Sequence, residues 1–306
     1  MKISLCYGAP DADQWLQDLS CVLPDAQISL WEPGCAAADY AIVRAPEQLF
    51  FLEQTGLKAI FNIGAGVDAV LKLDLPPNIP LIRLNDAGMG VQMAEYVCHA
   101  ITRHFREFSR YEDSARKGAW HPLRLRDRAD FPVGVMGMGV LGERVARAVS
   151  CFDFPVFGWS RTKKSILGVN CFAGDEQLGS FLSEVRVLVC LLPLTDRTAG
   201  IMNYKNLCKM RPGGYVVNVA RGAHLVEEDL LSLIESGHIF GATLDVFREE
   251  PLSADHPFWM NPKIYVTPHI SAHIDRSSSI LQIAAKIRSF ERGEPVSGMV
   301  QNELGY

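Results

Sequence analysis

A chain of 306 residues, 48% hydrophobic and 21% charged, is long enough for two ordinary domains and apolar enough to bury a real core. Its 30 basic against 35 acidic residues leave a formal net charge of -5, which argues against a nucleic-acid surface; the densest basic stretch, Arg124 to Arg128, is broken by Asp127 and followed by Asp130. The eight cysteines are scattered from Cys6 to Cys208, with no C-x-x-C pair and no Cys/His cluster of metal-ligand spacing, so no metal is expected and a reducing, cytoplasmic setting is.

In chain order, Ile3 to Tyr7 reads as a buried strand and Asp11 to Ser20 as a helix, with Trp15, Leu16 and Leu19 at helical spacing. Gln27 to Trp31, Tyr40 to Val43, Leu57 to Asn62 and Leu81 to Leu84 read as further strands, the third running into the turn Gly64-Ala65-Gly66. A long helix is predicted from Met89 to Lys117, which holds no Pro and no Gly after Gly90, and a compositional break follows from Gly118 to Asp130. A second alternating series starts at Phe131–Met136, passes through the helix Leu141–Val149, and continues with strands Val156–Trp159, Val185–Leu192, Tyr215–Val219, Gly241–Val246 and Ile264–Thr267. Ser277 to Glu291 reads as a last helix. Strands alternating with helices predict parallel sheets covered on both faces, here as two α/β units in tandem. No stretch approaches the ~20 apolar residues that span a membrane, and the strand at Met1–Cys6 is too short an apolar run for a secretory signal.

Between the strand ending at Met136 and the helix after it stands Gly137-Met138-Gly139-Val140-Leu141-Gly142, a G-x-G-x-x-G in its strand–turn–helix setting. Gly137 permits the tight turn, Gly139 lets the backbone approach a pyrophosphate, and Gly142 lets helix and strand pack closely. The helix start then offers unpaired N–H groups and partial positive charge to the phosphates. Dinucleotide binding follows from this segment alone. Cofactor choice is set at the end of the next strand, where an acid would hold the ribose hydroxyls of NAD. Here Ser160-Arg161-Thr162-Lys163-Lys164 carries no acid, and Arg161 suits a 2′-phosphate and a stacked adenine. NADP(H) is therefore expected over NAD(H).

Three motifs follow in order: Asn218-Val219-Ala220-Arg221-Gly222, Asp245-Val246-Phe247-Arg248-Glu249-Glu250-Pro251, and Thr267-Pro268-His269. Together with the glycine turn and Gly64-Ala65-Gly66-Val67-Asp68, they make the whole chain resemble the D-isomer-specific 2-hydroxyacid dehydrogenases. Gly88-Met89-Gly90, Trp159-Ser160-Arg161-Thr162 and the ending Leu304-Gly305-Tyr306 point toward members that reduce small 2-keto acids. The resemblance implies two doubly wound parallel-sheet domains. A Rossmann cofactor domain, residues 99–271, is inserted in a flavodoxin-like substrate domain made of residues 1–98 and 272–306. It also implies a homodimer formed through the long helix and the loop after it, with Trp120 a candidate to reach the partner's site.

Reduction of a 2-keto acid requires a cation, a proton donor of near-neutral pKa and backbone donors for the carboxylate. By resemblance, Arg221 grips the substrate carboxylate and keto oxygen, His269 is the general acid, and Glu250 orients it. Glu249 is the rival acid, but the family's acid directly precedes the proline, as Glu250 does Pro251. An imidazole, with an ordinary pKa of about 6.5, can give a proton in one direction and take it in the other. The resemblance places Ala65 and Gly66 N–H on the substrate carboxylate, Leu192 and Pro193 on the adenine side, Val219 along the cofactor, and Asp245 at the nicotinamide carboxamide. Arg44 stands where similar reductases carry an aromatic residue, and would favour a more polar or acidic substrate.

Three activities remain open at this level. The first is NADPH-dependent reduction of a small 2-keto acid, of the glyoxylate or hydroxypyruvate kind, to the D-2-hydroxy acid. The second is another substrate on the same fold, such as phosphoglycerate, formate or phosphite. The retained His269 and Glu250 speak against formate, which needs no acid–base pair. No C-terminal regulatory domain is evident, against a regulated biosynthetic form. The third is a cofactor-sensing binding protein without turnover, against which Arg221, Glu250 and His269 all stand.

Overall fold

The structure is a computed structural model describing residues 1–301 and 305; Leu304 and Tyr306 of the motif at the chain ending lie outside the described residues. The first half runs β1 (Lys2–Tyr7), α1 (Ala12–Val22), β2 (Gln27–Leu30), β3 (Tyr40–Arg44), α2 (Gln48–Glu53), β4 (Ala59–Asn62), β5 (Leu81–Arg83), α3 (Met89–Phe105) and α4 (Phe108–Arg116). Then come β6 (Val133–Met136), α5 (Val140–Ser150), β7 (Val156–Ser160), β8 (Val169–Ala173), α6 (Leu178–Glu184) and β9 (Val187–Cys190). The rest is α7 (Tyr204–Leu207), β10 (Gly214–Asn218), α8 (Glu227–Glu235), β11 (Ile239–Leu244), β12 (Ile264–Val266) and α9 (Arg276–Glu291). The chain divides into two units, Met1–Met89 with the segment from Ile274 onward, and Gly90–His273. Among the described residues no helix is long and apolar enough to cross a membrane.

In the first unit the described strands form a parallel sheet in the order β2-β1-β3-β4-β5, so the winding reverses between β1 and β3. Its strands read as apolar runs because both faces are covered. Trp15 and Leu19 of α1 pack with Ile280, Ile283, Ala284 and Ile287 of α9 over one face. Phe50, Phe51, Leu57, Val67 and Val70 cover the other. The segment after α9 returns to the edge strand, where Val300 N–H donates to Leu81 O at 2.8 Å.

The second unit holds a seven-stranded parallel sheet in the order β12-β11-β10-β9-β6-β7-β8. Winding reverses between β6 and β9, the doubly wound arrangement whose strand ends open a ligand crevice at the reversal. Two departures from the expected elements have a clear physical reason. β8 is a half-exposed edge strand, so its apolar signal is weak. The predicted helix Met89–Lys117 is two helices. The apolar stripe that anchors α3, including Val97, Ala100, Ile101 and Phe105, ends at Phe105, and α4 buries no residue. With nothing to hold the axis straight, Glu107 turns left-handed (φ 55°), and its carboxylate pairs with Arg110 and Arg126 at 2.9 Å each.

Candidate active site

In the second unit the predicted residues all fall at or just beyond the C-terminal ends of the parallel strands. The glycine turn follows β6. Gly137 has φ +100°, and a side chain there would meet Leu191 O at 2.6 Å, in the link that leads from β9 to Leu192 and Pro193. Gly137 N–H also donates to Trp159 O at 2.8 Å, next to the start of the Ser160–Lys163 segment. The turn therefore touches both flanking strand ends, and draws the three sets of cofactor candidates to one rim. Met138 turns inward into the core, where it leaves no room for a side chain at Gly158.

The other two glycines differ in kind. A Cβ on Gly142 would lie 1.8 Å from Gly137 O, so close packing of helix on turn demands glycine. A Cβ on Gly139 would meet nothing within 4 Å, and its φ of -82° suits any residue. Among the described residues no packing explains Gly139, as close approach of a ligand would. Gly139 caps α5 without a side-chain hydrogen bond, which leaves the first N–H groups of Val140, Leu141 and Gly142 available to an anion. The rim thus fits a dinucleotide. Gly142→Ala is expected to destabilise the fold by about 3 kcal/mol, whereas Gly139→Ala should keep its melting temperature within a few degrees and weaken NADPH at least about tenfold. Thermal melts and fluorescence titration separate the two; equal losses of stability would refute the distinction.

Ser160, at the end of β7, donates from Oγ to Thr162 O at 2.9 Å, which curls the segment so that Arg161, Thr162 and Lys163 stand exposed. Val219 is buried just past β10, with its N–H on Cys190 O. Arg221 lies two residues further. Its carbonyl accepts from Asn218 Nδ2 at 3.0 Å, and its Nη1 donates to Ala220 O at 2.8 Å. A side chain on Gly222 would lie 1.8 Å from the carbonyl carbon of Phe247, so the Arg221 loop sits directly on the loop that carries Glu250.

On that neighbouring loop, Glu250 Oε1 accepts from Phe247 N–H at 2.9 Å, and Oε2 lies 2.7 Å from His269 Nδ1. The other rival, Glu249, makes no such contact among the described residues. With Nδ1 facing Glu250, Nε2 is the ring nitrogen on the opposite side of the half-exposed imidazole. Asp245 is fully buried, and both oxygens of its carboxylate are taken, by Thr267 Oγ1 (2.6 Å), Ile270 N–H (2.8 Å) and Ser271 N–H (2.7 Å); it faces the Thr267–Ser271 turn rather than the nicotinamide carboxamide expected for it.

In the first unit, Arg44 ends β3 exposed; its Nη1 donates to Tyr7 Oη at 2.9 Å and the guanidinium lies 5.5 Å from that ring's centre. Tyr7 and Arg44 are cross-strand partners on either side of the reversal point. On the next strand end, Asn62 Nδ2 donates to Gly64 O (3.3 Å) and Gly66 O (2.9 Å). With those carbonyls held inward, the turn presents its N–H groups, and among the described residues none accepts from Ala65 or Gly66 N–H. Of the histidines without a motif, His104 is buried and stacked on Tyr215 at 4.0 Å; desolvation, with Arg126 and Arg186 nearby, pushes its pKa down to about 3. Sequence spacing gave no hint of Tyr96, whose hydroxyl bonds Thr267 Oγ1. Thr267 itself was visible only as part of its tripeptide.

Residues 98–271 match the model of the D-isomer specific 2-hydroxyacid dehydrogenase NAD binding domain. The chain belongs to the D-isomer-specific 2-hydroxyacid dehydrogenase family. It is an NAD(P)-dependent oxidoreductase of that family, with the family's paired α/β architecture. Over 313 aligned residues it is 46% identical to a glyoxylate/hydroxypyruvate reductase A from Photorhabdus laumondii and 44% identical to one from Serratia proteamaculans, with all of each chain covered. Among solved structures, a D-isomer specific 2-hydroxyacid dehydrogenase from Xanthobacter autotrophicus, in complex with NADPH and MES, matches with a TM-score of 0.94 at 36% identity, covering 100% of this chain and 99% of that one. An NADPH-dependent glyoxylate/hydroxypyruvate reductase from Sinorhizobium meliloti, in complex with NADP and sulfate, matches with a TM-score of 0.93 at 35% identity and the same coverage.

Proposed function

We propose that this protein reduces small 2-keto acids, glyoxylate and hydroxypyruvate foremost, to the D-2-hydroxy acids, with NADPH preferred and NADH a poorer substitute. The observation that carries the reading is the 2.7 Å pair of His269 Nδ1 and Glu250 Oε2 on the same sheet rim as the glycine turn, in a chain whose full-length relatives bear that activity in their names. Bound NADPH supplies the hydride. Ala65 and Gly66 N–H hold the substrate carboxylate. Arg221 spreads the charge that grows on the keto oxygen, and His269 Nε2 delivers the proton to it. Glu250 keeps the ring oriented and balances the imidazolium before transfer. Leu192, Pro193 and Val219 line the cofactor's path. A panel of 2-keto acids with each nicotinamide cofactor, followed by absorbance, tests this directly. Tight NADPH binding without oxidation by any keto acid would overturn it.

The preference for NADPH rests on Arg161, with Ser160, Thr162 and Lys163 around it. Arg161→Ala is expected to weaken NADPH about tenfold or more, the worth of a charge-assisted fork, while NADH changes less than about twofold. Parallel loss for both cofactors would reassign Arg161 to a structural role. Arg44 sets the substrate's far end. Arg44→Trp should lower the preference for a 2-keto dicarboxylate over glyoxylate about tenfold; an unmoved ranking in the panel removes Arg44 from the site. The protein acts in the cytoplasm as a homodimer. That assembly is supported by α4, which buries no residue, and by Trp120, which is 95% exposed in the stretch after it. Light scattering and the kinetics of Trp120→Ala test both points.

A further inference from the structure

His269 has φ +54°, a left-handed conformation that residues with a side chain adopt only when their surroundings enforce it. The enforcing group is Asp245. Its backbone carbonyl accepts from His269 N–H at 2.8 Å, and its carboxylate takes Ile270 N–H, Ser271 N–H and Thr267 Oγ1–H. From Thr267 to Ser271, every residue except Pro268, which has no N–H to give, is bonded to this one aspartate. A carboxylate only accepts, so Thr267 must spend its single proton on Asp245. Thr267 Oγ1 is then an acceptor toward Tyr96 of α3, and Tyr96 is the donor. Burial, with Asp245 nearby, pushes the Tyr96 phenol well above its ordinary pKa, so its proton stays in place. The direction of the chain is thus determined: Tyr96 to Thr267 to Asp245.

We propose that Tyr96 and Thr267 are positioning residues for proton delivery, acting through Asp245 to hold the His269 backbone in its left-handed turn. Among the described residues neither hydroxyl hydrogen-bonds the imidazole, whose Nδ1 faces Glu250. Tyr96 ties the loop to α3, and Thr267 orients the carboxylate so that both its oxygens face the loop amides. If Thr267 stops donating, one lone pair of Asp245 becomes unsatisfied in a buried place. The carboxylate then rotates, and the turn at His269 relaxes toward negative φ. The ring is displaced while the glycine rim, on other strands, is unaffected.

The inference rests on His269 being the proton donor, and its test keeps the two ideas apart. Thr267→Val, Thr267→Ser, Tyr96→Phe and His269→Ala are compared for kcat, substrate KM, NADPH Kd and melting temperature. Thr267→Val should lower kcat at least about tenfold, as expected for a misplaced catalytic group, with NADPH Kd within about twofold. Thr267→Ser, which keeps the hydroxyl, should recover most of kcat. Tyr96→Phe should lower kcat several-fold, with the same split. Folded Thr267→Val with wild-type kcat overturns the positioning role, as does a loss that Thr267→Ser fails to rescue. Should Thr267→Val melt early and lose kcat, KM and Kd together, Thr267 is merely structural and the proposal fails. An active His269→Ala instead refutes the proton-donor reading beneath it.

Discussion

Arg221→Lys is expected to lower kcat/KM for glyoxylate about a thousandfold, the scale on which removing one preorganised donor from a developing oxyanion acts. The substitution keeps the charge but discards the fork. Arg221 Nη1 donates to Ala220 O, which helps fix the plane of the guanidinium. A lysine ammonium has no such plane and sits on a flexible stem. The loop itself should survive the change. Its anchors are backbone and neighbour groups: Asn218 Nδ2 on Arg221 O, His224 Nδ1 beside the same oxygen at 3.0 Å, and Gly222 against Phe247. Melting temperature and NADPH affinity should therefore stay near wild type. Initial rates over a glyoxylate series, with NADPH titrated separately, measure each quantity. A loss of less than about tenfold would place Arg221 outside the reacting centre.

His269→Gln should lower kcat by about a thousandfold, within the range that a positioned general acid supplies, with little effect on cofactor binding. Glu250→Gln is the sharper probe. Its Oε1 contact to Phe247 N–H can be kept by the amide oxygen, so the loop holds. The group facing His269 Nδ1 then becomes an NH2, which can no longer accept from it, and the ring is driven to the other tautomer or turned away. A fall of about a hundredfold is expected, and glutamine in both positions should cost little more than His269→Gln alone, because the two act as one unit. Additive losses in the double variant would show that Glu250 acts independently of His269.

Much of the second unit was legible because its signals are short in sequence. The glycine turn declares itself through a strand before and a helix after. The Arg221, Glu250 and His269 motifs each follow an apolar run, so their placement on the strand ends follows once the sheet is parallel. The break at Glu107 was not legible. Phe105, Phe108 and Tyr111 continue a helical spacing across it, and only the end of the buried stripe at Phe105 shows why the axis turns. The reason for each glycine was also hidden: Gly139 and Gly142 look alike in the motif, yet one meets open space and the other a backbone oxygen.

The sequence by itself determined the family, the α/β class, the dinucleotide turn and the identity of the candidate cation, acid and imidazole, since each is carried by a contiguous stretch with its own chemistry. Tertiary structure alone decided how those groups are held. Glu250 takes Phe247 N–H on one oxygen and faces His269 with the other, and Asp245 gathers the whole Thr267–Ser271 turn. Tyr96 reaches that turn from 171 residues away. Hydrogen bonds between distant strand ends depend on sheet order and register, which no local spacing encodes.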